Sequence, residues 1–367
     1  MQLLNATDMP AAYALGMEPS GREHVIVAVK GTFTIPEEPD ATASLASRQV
    51  PLVMADLYWG EPGFSAPRYE VDFALRKPRC DILLNATAYA PHGEPTARVR
   101  VGAKIGGWSK VFDVTGERHY VQRGATVGPA DPEPFVAQPI TYDIAFGGID
   151  DTDPDHAEAY MANPIGIGYG TTRAGERITG RTAPRTEDPR QPIDVPYGRY
   201  QPMGFGIVGR HWQERAQYAG TYDQHWQDHV FPFLPADFDD RYYQAAPADQ
   251  QVEELAGGED VTLVGLTPNG RQSFLLPDID VPVVFFRDRG EDITDRARPD
   301  TVVIEPDFNR LTITWRANLA LNRDIFEVPE CLIGRKSRGW WRARATGKQY
   351  FGSIGDLIRE RASGAAA

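Results

Sequence analysis

Ala97 to Ile105 shows the pattern that governs both ends of the chain: Val99, Val101, Ala103 and Ile105 alternate with Arg98, Arg100, Gly102 and Lys104. A period of two sends alternate side chains to opposite faces, so the segment predicts a half-buried antiparallel strand. Upstream, His24 to Ile35 is rich in β-branched residues and alternates Phe33 with Thr32 and Thr34, and Cys80 to Tyr89 is a second apolar run. Both predict strands. Pro91-His92-Gly93 marks a turn, and Trp108 to Val114 with Glu117 to Val121 completes a predicted meander. The last third returns to strand patterns at Asp260 to Leu266, Ser273 to Leu276, Val281 to Arg287, Thr301 to Glu305 and Arg310 to Arg316, with a turn at Pro268-Asn269-Gly270. Asp81 to Gly93 and Asp260 to Gly270 echo each other weakly, as a duplicated β unit or as two strand–turn–strand pieces alike by chance.

Between Val127 and Pro247 the periodicity disappears. Proline and glycine recur every few residues, leaving room for two short helices, at Trp212 to Tyr218 and Tyr222 to Val230. Phe, Tyr and Trp are dense here, which argues for an ordered loop layer over a β framework rather than disorder. Ser337 to Gly352 is basic and aromatic and reads as a solvated strand edge, a protein-binding face or a nucleic-acid patch, the overall acidity ranking protein above nucleic acid. Asp356 to Ala362 predicts a short helix, with residues 363–367 frayed. The expected fold is mainly β, with antiparallel, sandwich-like lobes at 1–126 and 251–352. A loop-rich layer at 127–250 and a tail at 353–367 complete it.

Composition narrows the class. At 367 residues the chain exceeds the usual reach of a single core. Its 41% hydrophobic residues contain no apolar run near eighteen, so no transmembrane helix is expected. Met1 to Gly16 carries Asp8 and Pro10 where an export signal would be apolar, which points to the cytoplasm. A net charge of −13 disfavours binding to phosphate backbones. Cys80 and Cys331 are the only cysteines and are expected as free core thiols.

Candidate chemistry concentrates between His211 and Asp240. His225 and His229 stand i, i+4, so a helix would place them on one face as two possible metal ligands, with His211 or Asp223 as a third. Trp226 occupies the position where a zinc protease carries glutamate. Asp237 and Asp239 could form the carboxylate pair of a carbohydrate- or peptidoglycan-cleaving hydrolase, or could cap turns. No nucleophile elbow, P-loop or dinucleotide fingerprint is present, so no catalytic residue and no cofactor are assigned. Trp212, Arg215, Tyr222, Asp223, Trp226, Asp237, Asp239 and Tyr243 are the candidate partner-binding residues, either as a surface or as a buried network. Trp340 and Trp341 join them, because Trp and Arg are favoured interface anchors.

The order of several motifs resembles a bacterial family, domain of unknown function 2169. Early matches are Val71-Asp72, Lys77-Pro78, Asp81-Ile82-Leu83, Ala86 to Gly93 and Val114 to Arg118. Pro139 to Tyr142, Ala145-Phe146-Gly147-Gly148, Asn163 to Gly166 and Pro202 to Gly206 follow. Trp212 with Arg215, Gly220 to Asp223, Trp226, Leu234 to Asp239, Tyr242-Tyr243 and Ala245 to Pro247 come next. Leu255 to Glu259 and Trp315-Arg316-Ala317 close the series. Pro184-Arg185-Thr186-Glu187 departs from the family pattern, and nothing after Leu321 matches it. The resemblance implies a mostly β, non-catalytic adaptor or chaperone of type VI secretion. Its partners would be an effector with a PAAR-like domain and the VgrG spike, with no nucleic acid and no membrane. A structural component of the secretion apparatus is the other non-enzymatic alternative.

Overall fold

The structure is a computed structural model and describes residues 1–124, 126–171, 175–355 and 358. It is mainly β, built around one curled ten-stranded sheet and one five-stranded sheet. The large sheet runs in the order Gln2–Asn5, Glu330–Ile333, Val281–Phe286, Ile293–Glu305, Arg310–Ala320, Glu23–Thr34, Ala11–Met17. Cys80–Leu84 lies parallel to the second half of Ile293–Glu305, where the sheet branches. The five-stranded sheet runs Thr186–Glu187, Trp108–Thr115, Arg98–Ile105, Asp260–Val264, Arg271–Leu275. Strands from 1–126 and 251–352 therefore stand side by side in both sheets. The two expected β segments share their hydrogen bonding.

The two-residue period explains the layering. In Glu23–Thr34, Val25, Val27, Val29 and Phe33 point to the main apolar core. So do Leu311, Ile313, Trp315 and Ala317 of Arg310–Ala320, and Cys80, Ile82 and Leu84 of Cys80–Leu84. The five-stranded sheet supplies Val99, Val101, Ala103, Ile105, Phe112, Val261, Leu263 and Phe274 from the other side. Every apolar position of the Ala97 to Ile105 alternation is buried. Both cysteines are free and buried.

The opposite face of the large sheet carries polar residues, yet it too is covered. Residues 46–79 and 200–250 lie over it and are pinned by buried charges. Lys30 Nζ meets Asp72 at 2.9 Å, and Asp72 also accepts from the Val53 amide at 2.7 Å and from Thr314 Oγ1 at 3.3 Å. Asp81, fully buried, accepts from Lys77 Nζ and Gln244 Nε2, both at 2.6 Å, and from the Ala245 amide at 2.8 Å. Buried charges persist when paired and hydrogen-bonded, and each of these carboxylates takes three donors shared over both oxygens. The loop layer thus begins well before residue 127.

Several expectations are corrected. Tyr120–Arg123 pairs with Thr126–Pro129 in a separate two-stranded sheet rather than extending a meander. Ile293–Glu305 and Arg310–Ala320 are longer than the predicted strands. The basic aromatic segment is the helix Arg338–Ala345, opened by Ser337 Oγ accepting from the Trp340 amide at 3.2 Å, and not a strand edge. The helix expected over Asp356 to Ala362 falls largely outside the described residues. No helix among the described residues is long and apolar enough to cross a membrane.

Candidate protein-binding site

Trp212 and Arg215 lie inside the protein. Trp212 is fully buried, edge-on to Tyr142 with ring centroids 5.4 Å apart, and Gly209 lies so close to the indole that a Cβ there would overlap it. Arg215 follows on the short helix Gln213–Ala216. Its guanidinium donates to the carbonyls of Val208 (2.9 Å) and Tyr242 (2.8 and 3.0 Å) and to the Glu70 carboxylate at 2.8 Å. Burial works against the Glu70 anion, but Arg215, Arg210 and Lys77 outweigh it and hold its pKa below the ordinary range. These two residues therefore clamp the loop layer and are removed from the candidate contact surface.

Four of the other candidates from this region, Tyr222, Asp223, Trp226 and Asp237, build one exposed hairpin, Gly220 to Phe238. Gly220 sits at φ 84°, where a side chain would collide with Pro235 and Asp237. Thr221 donates to Asp237 through its amide at 3.0 Å and its hydroxyl at 2.8 Å, closing the hairpin neck. Asp223 caps the helix Gln224–His229 by accepting from the Trp226 amide at 2.9 Å. Trp226 Nε1 then crosses to the Phe233 carbonyl at 2.9 Å, tying the helix to the returning loop. Tyr222 and Phe231 pack edge-on against the Trp226 ring, at centroid distances of 4.7 and 5.6 Å.

Thr221, Asp223, Asp237 and the Trp226 indole N–H are spent on the hairpin's shape, and its other aromatics are left to solvent. Phe231 is 67% exposed, Tyr222 48% and Phe233 42%, while Trp226 is half-buried beneath them. Asp239 caps the next turn, Asp240–Tyr243, and holds the Arg241 guanidinium with a shortest contact of 2.6 Å. The half-buried Tyr243 supports Phe238 from behind, with rings 5.5 Å apart. Burial pushes the Tyr243 hydroxyl up to about 12.

Asp237 and Asp239 are both drawn into these turns. Hydrogen bonds from Thr221 lower the Asp237 pKa, and the Arg241 guanidinium lowers that of Asp239. His225 and His229 do share a helix face, with ring centroids 4.9 Å apart, and both are exposed. Among the described residues no group of three His, Cys, Asp or Glu side chains is arranged to hold a metal ion.

Trp340 and Trp341 lie elsewhere, on a helix packed over Phe286, Val284 and Leu332. Those strands stand on the far side of the large sheet's order from Glu23–Thr34. The two tryptophans and the hairpin thus belong to different parts of the sheet.

The pattern of a bacterial family, described as "Uncharacterized protein conserved in bacteria (DUF2169)", matches residues 20–316. The chain belongs to the DUF2169 family. No curated protein and no solved structure matches it. The matched span of this DUF2169 protein covers the loop-layer clamps, the whole hairpin and the branching strand of the large sheet.

The sequence pattern singles out Tyr222 and Trp226 but not Phe231 and Phe233, the two most solvent-facing aromatics of the returning loop. Their signal was present in Phe231-Pro232-Phe233-Leu234-Pro235. Prolines flanking aromatics leave a segment that can neither form a helix nor continue a sheet.

Proposed function

We propose that this DUF2169 protein is a non-catalytic, cytoplasmic adaptor that binds a type VI secretion effector through a PAAR-like domain and helps load it onto the VgrG spike. The observation that carries the binding part of this reading is the hairpin with Tyr222, Phe231 and Phe233 exposed on a frame fixed by Asp223, Asp237 and the Trp226 indole. Aromatics displayed on a preformed frame give contact area at low entropic cost, as recognition loops require. The effector, PAAR and VgrG assignments rest on the family resemblance.

A hydrolytic role draws less support from the same residues. An acid–base pair for glycoside cleavage needs one carboxyl with a raised pKa. Asp237 and Asp239 are both lowered and both serve as caps.

The test is co-expression of the chain with a PAAR-bearing effector from the same genome. Co-elution that is lost on Phe231→Ala with Tyr222→Ala supports the adaptor reading. Co-elution in neither form removes it.

A further inference from the structure

The strand Ala11–Met17 ends the order of the large sheet and, among the described residues, pairs only with Glu23–Thr34. Its register fixes which backbone groups face outward. The Lys30 amide donates to the Pro10 carbonyl, and the Glu18 amide to the Arg22 carbonyl. In antiparallel pairing, hydrogen-bonded positions alternate. Ala12, Ala14 and Gly16 therefore bond to the sheet, whereas Ala11, Tyr13, Leu15 and Met17 point their N–H and C=O groups away from it. None of these outward groups has a hydrogen-bond partner among the described residues.

The side chains tell the same story. Tyr13 and Leu15 lie opposite Val27 and Val25, on the face that builds the main core. Val25 and Val27 are fully buried, but Tyr13 is 37% and Leu15 50% exposed. The core face thus continues one strand beyond its cover. Natural edge strands are usually blunted by charge, proline or a bulge, and Ala11–Met17 has none of these.

We propose that an extended segment of the partner protein adds to this edge as a further strand, with alternate apolar residues beside Tyr13 and Leu15 and basic residues at its flanks. A row of outward N–H and C=O groups is complementary to extended backbone and to little else. The flanks follow from charge. Asp8 and Glu18 bracket the strand, no Lys, Arg or His occurs in residues 1–21 before Arg22 opposite Glu18, and the chain as a whole carries −13. A second copy is disfavoured by the same charges. Antiparallel self-pairing of Tyr13 with Leu15 would carry Glu18 of one copy towards Asp8 of the other. The edge is also continuous with the aromatic hairpin, because the Phe233 ring lies over Gly21 in the turn that follows the strand. The proposal rests on the adaptor reading and names how the client would be gripped.

The test uses the full chain and a synthetic peptide of alternating valine and threonine flanked by paired lysines. Binding is read by fluorescence anisotropy, and amide hydrogen exchange is read at Tyr13 and Leu15. The expected result is binding that slows exchange at both amides by about ten-fold or more. Leu15→Pro removes an outward donor and the leucine side chain but no hydrogen bond to Glu23–Thr34, and should weaken binding about ten-fold, roughly the worth of one backbone hydrogen bond with its packing. Leu15→Lys, which leaves the backbone intact, should do so by repelling the lysines, and stands in if the proline variant fails to fold. A glutamate-flanked peptide should bind more weakly than the lysine-flanked one. No binding, binding without protection at Tyr13 and Leu15, or binding unchanged in both variants overturns the proposal. So does sedimentation showing a dimer whose Tyr13 and Leu15 amides are already protected, which would assign the edge to a second copy. Peptide binding without effector co-elution would sink the adaptor reading alone, and effector co-elution without peptide binding would sink the strand-addition proposal alone.

Discussion

The Arg215 guanidinium and the Glu70 carboxylate stand 2.8 Å apart, with their side chains 4% and 11% exposed. The pair joins the short helix beneath the aromatic hairpin to the segment that crosses the polar face of the large sheet. Arg215→Ala leaves Glu70 with Arg210, 2.5 Å away, as its remaining guanidinium partner, and strands the buried carbonyls of Val208 and Tyr242. The variant is expected to lose about 2–4 kcal/mol of unfolding free energy, mostly from the stranded carbonyls. Equilibrium urea denaturation measures it, and a loss below about 1 kcal/mol would show that the clamp contributes little.

Asp81 plays the same part nearer the core, where Lys77, Gln244 and the Ala245 amide converge on it. Asp81→Ala should cost about 3–5 kcal/mol. It should also raise hydrogen exchange at Ala245 more than at Val27 in the sheet. Uniform exchange would mean that the loop layer and the sheet open as one unit.

Substitutions in the hairpin should behave in the opposite way. Phe231→Ala truncates a side chain that is 67% exposed, so the melting temperature should move little. Client affinity should fall by about 2 kcal/mol, near thirty-fold, if Phe231 is an interface anchor. Trp341→Ala, on the separate helix, should leave affinity unchanged. Calorimetric titration separates the two.

Acid should weaken the fold through Glu70, Asp237 and Asp239, whose pKa values lie below the ordinary range. A lowered folded-state pKa stabilises above the unfolded value, about 4, and that contribution is lost as pH falls through the folded value. Glu214 and Asp240 are raised by burial and run in the opposite sense, so their contribution is lost as pH rises. The clean comparison is Asp239→Asn against the parent. The difference in melting temperature should be present at pH 7 and shrink below about pH 4. A difference that is constant with pH would show that the Arg241 contact does not set the Asp239 titration.

Both thiols should be silent in the native state. Burial pushes Cys331 up to about 12 and raises Cys80 as well. A disulfide reagent at pH 8 should titrate neither until the chain is unfolded in guanidinium, when both react. Fast labelling of the native protein would contradict their placement in the core.

The strands that were legible are those whose residue types agree with their surroundings. Arg98–Ile105 has one dry and one wet face, and its alternation says so. Ala11–Met17 was missed because Ala, Leu and Met are helix formers, and only pairing with Glu23–Thr34 makes the segment a strand. The first half of Ile293–Glu305 was missed because Asp295, Arg296 and Arg298 are exposed there and mask the pattern. Trp212, Arg215, Tyr222 and Trp226 look alike in sequence as aromatic and basic candidates. Which of them is buried depends on Glu70 and Tyr142, more than sixty residues away. The caps were more local: Asp223 and Ser337 each stand three residues before the amide they hold.

The most direct test of the central claim is co-elution of the chain with a PAAR-bearing effector from its own genome, compared with the Tyr222→Ala, Phe231→Ala double variant. The account predicts a complex with the parent chain, and none with a double variant that melts at the same temperature. A complex that survives both substitutions would contradict the assignment of the hairpin, and the absence of any complex with the parent would contradict the adaptor function itself.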